Sequence, residues 1–99
     1  MKQNEIFENV VNIVCEEFGV CYGELINGAN RQSVDARCLL VCSLISLGMS
    51  EENVAAYLSM TRQGVNKLKN SIKQRNAVSY IFATTNQRIR NRIDTEIKG

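Results

Sequence analysis

The chain has no proline, no histidine and no tryptophan, and only six glycines among 99 residues. Lacking histidine, it loses the commonest general base and a frequent metal ligand, so an enzyme is not expected. Lacking proline and short of glycine, it has too little turn chemistry for a barrel or sandwich of many short strands. Helices are the alternative, and the expected class is a small all-α domain. No apolar run approaches the ~18 residues of a membrane span; the longest, CLLVC at 38–42, soon meets Ser43, Ser46 and Gly48. The first twenty residues carry Glu5, Glu8, Glu16 and Glu17 instead of a cationic leader, so a cytoplasmic protein is expected. A chain this short buries only roughly 60–65% of its unfolded surface, which leaves little for a deep catalytic cleft.

What is present begins with four cysteines, at 15, 21, 38 and 42. In a reducing compartment such residues are expected to be buried thiols. The competing reading is a zinc site, but five residues separate Cys15 from Cys21, and one of the two pairs therefore misses the usual C-x₂₋₄-C spacing. No metal or cofactor is expected.

The net charge of +2 conceals a division along the chain. Residues 1–60 hold three cations against eight carboxylates, a net −5, whereas residues 61–99 hold nine against two, a net +7. Clustered Lys and Arg attract phosphates, so a polyanion at the C-terminal end is one reading; solvated helix faces are the other.

Hydrophobic periodicity predicts helices throughout. Ile6, Phe7, Val10, Val11, Ile13, Val14, Cys15 and Phe18 form an amphipathic stripe closed by Gly19. A short helical turn is expected in GVCYGELI at 19–26, then a polar loop, NGANRQ. From Ser33 the pattern SVDARCLLVCSLISLG is apolar almost all round, which predicts a central helix, with Ser33 or Asn30 as its cap and Gly48 after its end. The most informative stretch is 50–75. Ser50 precedes Glu51 and Glu52, an N-cap with acids in the first turn, and Val54, Ala55, Tyr57 and Leu58 make a short amphipathic helix. About three residues later a second helix begins at Arg62 with Val65, Leu68 and Ile72 inward. This spacing predicts a helix-turn-helix, with Ala55 or Ala56 at the closest approach and Val65 as anchor. Its exposed face would hold Thr61, Arg62, Gln63, Asn66, Lys67, Asn70 and Lys73, all able to meet base edges or phosphates, with no carboxylate on that helix.

Residues 6 to about 72 resemble the C-terminal DNA-binding domain (domain IV) of the bacterial replication initiator DnaA, whose helix-turn-helix is similar to that of the tryptophan repressor. The resemblance rests on EEFGVCYGELING, similar to the family's "Y-G-V … E-L-L" entry, on NRQSVDARCLLVCSLIS, similar to its basic loop and "v-x-A-R" helix, and on the helix-turn-helix segment. It implies an arginine in the minor groove from the loop, a role that falls to Arg31, and a phosphate contact at the start of the long helix, which falls to Arg37. The family's G-G-R-D-H-S-T-V is replaced by SMTRQGV, which implies a different sequence preference. No Walker-type glycine loop accompanies the domain. The expected function is that of a free-standing double-stranded DNA binder, a small transcriptional regulator or an accessory replication factor associated with the nucleoid.

Residues 1–75 are expected to form this domain and 76–99 a basic helical extension of it. Val78, Ile81 and Phe82 are candidates for docking on the core, and Thr84 or Thr85 for capping a last helix. Ile89, Ile93 and Ile97 recur every four residues there, either packing in the same subunit or forming a homodimer seam. The alternative function is a helical protein-interaction adaptor whose basic face meets an acidic partner.

Overall fold

Every regular element among residues 2–99, which the computed structural model describes, is helical. In α1 (Gln3–Phe18) the predicted stripe buries Phe7, Val10, Val11, Ile13 and Val14. Gly19 closes α1 at φ 68°, a left-handed conformation that side chains resist. The six-residue α2 (Tyr22–Asn27) follows, with Leu25 pointing into the core. At its start the Cys21 backbone N–H donates to Glu24 Oε1 at 3.2 Å.

The long α3 (Arg31–Ser46) runs through the centre and touches every other α-helix. Ala36, Cys38, Leu39, Leu40, Val41 and Leu44 are buried along it, which is why its sequence is apolar on nearly all sides. Of the two candidate caps, Asn30 is the one used: its Oδ1 accepts the Ser33 N–H at 2.8 Å. The helix therefore starts at Arg31, two residues earlier than predicted, and the loop shrinks to residues 28–30. Gly28 is required there by space, because a Cβ would land on Ser33 Oγ and on the Glu24 carbonyl oxygen.

Beyond Gly48 (φ 100°) come α4 (Glu51–Leu58), α5 (Arg62–Asn70), α6 (Ile72–Val78) and α7 (Tyr80–Ile93), which ends in a π-helical turn over Asp94–Lys98. The predicted second helix is thus broken at Ser71. Ser71 Oγ donates to the Leu68 carbonyl at 2.8 Å and accepts Arg75 Nε at 2.9 Å, so the chain turns there without glycine or proline.

The tail corrects two expectations. Ser79 caps α7, its Oγ accepting the Phe82 N–H at 3.1 Å, whereas Thr84 and Thr85 lie inside the helix and donate back to the Tyr80 and Ile81 carbonyls. Phe82 docks on the core, but Val78 and Ile81 do not. Ile89 and Ile93 are buried in the chain's own core and Ile97 packs against it, which is the same-subunit packing that is one of the two expectations. With burial of such a side chain worth about 1.5–3 kcal/mol, residues 76–99 are an integral part of the domain. No helix among the described residues is long and apolar enough to cross a membrane.

Candidate nucleic-acid interface

Helices α4 and α5 are joined by three residues, 59–61. Ser50 Oγ accepts the Asn53 N–H at 3.2 Å and starts α4, whose Val54, Ala55 and Leu58 face inward; of the two alanines, Ala55 is buried and Ala56 is exposed. Tyr57, half-buried against the core, stacks on Phe7 with ring centroids 4.6 Å apart, fixing α4 to α1. Ser59 takes the left-handed conformation, φ 54°, and lets the chain reverse, and the Met60 N–H returns to the Ala55 carbonyl at 2.9 Å. Thr61 Oγ1 then accepts the Gly64 N–H at 3.0 Å, and Val65 anchors α5 in the core. Thr61, expected among the base-reading residues, is therefore first of all the cap of α5.

Most of the predicted face is exposed: Arg62, Gln63, Lys67 and Asn70 on α5, with Asn66 half-buried between them. Lys73 is exposed too, but it belongs to α6, beyond the break. Thr61, Arg62, Gln63, Asn66 and Lys67 line an open concavity of about 850 Å³, to which α4 contributes Glu51.

That carboxylate is the main departure from expectation. The sequence places no acid on α5, yet the fold lays the acidic start of α4 against it. Glu51 Oε2 accepts Lys69 Nζ at 2.6 Å and Asn66 Nδ2 at 3.1 Å, while Oε1 lies 3.6 Å from Arg62 Nε. Glu52 lies 3.8 Å from Arg62 Nη1. Hydrogen bonds from Lys69 first, then from Asn66, hold the Glu51 carboxyl below its usual range. Arg62, Asn66 and Lys69 recur at helical spacing on one side of α5, which brings all three within reach of the one carboxylate.

The two arginines assigned by resemblance are not on this concavity. Arg31, 74% exposed, is the first residue of α3 and not a loop residue; its Nε lies 3.9 Å from Asp35. Arg37 points inward, donating through Nε to the Leu25 carbonyl at 2.9 Å and through Nη2 to the Gly28 carbonyl at 2.7 Å. It thereby satisfies the orphan carbonyls at the end of α2 and pins that end to α3. Of the tail arginines, Arg92 is also committed within the chain, bridging Glu16 at 2.8 Å, Glu17 at 3.2 Å and Glu96 at 2.7 Å.

Cys38 Sγ donates to the Leu68 carbonyl at 3.2 Å and Cys42 Sγ to that of Lys69 at 3.8 Å, so both thiols tie α3 to the last turn of α5. Among the described residues no group of three or more Cys, Asp or Glu comes together as a metal site.

Compared with known protein families, curated proteins and solved structures, the chain matches none.

Proposed function

We propose that the chain is a double-stranded DNA-binding protein in which α4 and α5 act as a helix-turn-helix, with α5 entering the major groove. The observation that carries this reading is the outer face of α5. Arg62, Gln63, Lys67 and Asn70 stand exposed there in sequence order along one helix held by a buried Val65, and they are the side-chain types that read bases and grip phosphates. The resemblance of residues 6–72 to DnaA domain IV supports the same reading. On it, Lys67, Lys73, Arg31 and the exposed Arg88 and Arg90 supply phosphate contacts, and the protein serves as a small transcriptional regulator or accessory replication factor on the nucleoid.

Fluorescence anisotropy against mixed-sequence duplexes at two salt concentrations tests it. Binding that weakens with salt, and weakens further in the Arg62→Ala, Lys67→Ala double variant, supports the proposal. Absence of salt-dependent binding, or indifference to the double variant, overturns it.

One observation favours the second reading, a protein-interaction adaptor. Val78, Tyr80 and Ile81 are 68%, 84% and 78% exposed where α6 meets α7, an apolar cluster that DNA phosphates do not call for.

A further inference from the structure

Glu51, Asn66 and Asn70 form a chain of hydrogen bonds whose direction is forced. An ionised carboxylate only accepts. Glu51 faces Lys69 Nζ and Arg62, both of which favour its ionised form. Asn66 must therefore turn its Nδ2 toward Glu51, as it does at 3.1 Å. Its Oδ1 is then left facing Asn70, one helical turn on, and accepts Asn70 Nδ2 at 3.0 Å. With one N–H of Asn70 directed at Asn66, the groups left to the exposed side of Asn70 are its carbonyl oxygen and its second N–H.

We propose that Glu51 sets the polarity of the Asn66–Asn70 amide pair and thereby commits that point of α5 to an adenine. An outward-facing carbonyl beside an N–H matches the adenine edge in the major groove, which offers the N6 amino group as donor and N7 as acceptor. With the amide reversed, Asn70 would present its N–H groups outward, the complement of guanine O6 and N7. The Glu51 charge selects the first arrangement over the second, although Glu51 itself touches no base. It is a positioning residue, and this role rests on the DNA-binding reading given above.

Selection of bound duplexes from a random pool, with the full chain and three variants, tests the proposal. The wild-type protein should enrich A·T at a position where Asn70→Ala abolishes the preference. Glu51→Gln keeps the size of the side chain but can donate as well as accept, so the amides are free to reverse. It should lower the A·T over G·C preference at that position by about fivefold or more, without weakening overall binding. Asn66→Ala, which leaves the Glu51–Lys69 bridge intact, should relax the same position and serves if Glu51→Gln does not fold. Lys69→Met, which removes the ion pair but not the carboxylate, should retain the preference. An unchanged base profile in Glu51→Gln or in Asn66→Ala, or a profile lost equally in Lys69→Met, overturns the role of Glu51 and leaves DNA binding standing. Absence of salt-dependent binding by the wild-type chain removes the DNA reading itself.

Discussion

Arg37 shows how a residue type can be read correctly and its task missed. Its place after Ala36 at the opening of a long apolar helix is legible, and through the DnaA resemblance it suggests a phosphate contact. Two backbone carbonyls claim its guanidinium instead, and nothing local announces them, because Leu25 and Gly28 lie in another element. Arg37→Met should lower stability by about 2 kcal/mol, the range of hydrogen bonds to charged groups, measured as a shift in the urea midpoint. Gly28 was equally silent, one small residue in a polar loop. Gly28→Ala should cost about 1–3 kcal/mol in the same measurement, since the added methyl meets Ser33 Oγ and the backbone of Glu24, and backbone yields little. Glu51 titrates below its unfolded value, so its contribution is complete above the ordinary carboxylate range and is lost as pH falls through the lowered value. Acid denaturation of Glu51→Gln should accordingly lack that part of the low-pH loss.

At the scale of elements, legibility followed local signals. Gly19 after α1, Ser50 before α4 and the Val54–Leu58–Val65 spacing each placed a boundary, because capping and left-handed termination depend on one or two adjacent residues. The break at Ser71 was not legible. The apolar steps Val65, Leu68 and Ile72 run across it unbroken, and the turn is held by Arg75, which reaches Ser71 Oγ and, at 2.5 Å, Asp35 of α3. The start of α7 was hidden for a different reason: Thr84 and Thr85 have the composition of a cap but spend their hydroxyls on the preceding turn, leaving Ser79 to do the capping. Thr61 unites both lessons, as an exposed residue of the α5 face that is also its cap. Thr61→Ala should destabilise the domain by about 1 kcal/mol, and Thr61→Ser should recover most of it, as thermal or urea unfolding would show. A purely base-reading Thr61 would leave stability untouched in both.

For the whole molecule, the split of −5 and +7 acquires a second meaning. Arg62, Lys69, Arg75 and Arg92 of the basic part pair with Glu51, Glu52, Asp35, Glu16 and Glu17 of the acidic part. Much of the asymmetry therefore holds the two parts of the chain together, which the linear sequence could not disclose because the partners lie up to 76 residues apart. Among the described residues Lys67, Lys73, Arg88 and Arg90 enter no ion pair. If these four and the exposed Arg31 make the phosphate contacts, log affinity should fall with log salt at a slope of about −4.5, and a slope near −8 would mean that the internal pairs open on binding. Arg92 gives the arrangement a consequence for biosynthesis. Its carboxylate partners Glu16 and Glu17 leave the ribosome long before it does, and so does the face of α1 that α7 will cover. The nascent acidic portion must wait, with that face bare, until α7 has been added. Docking of α7 is then a long-range capture of a cationic helix by an anionic platform, and raising salt should slow it.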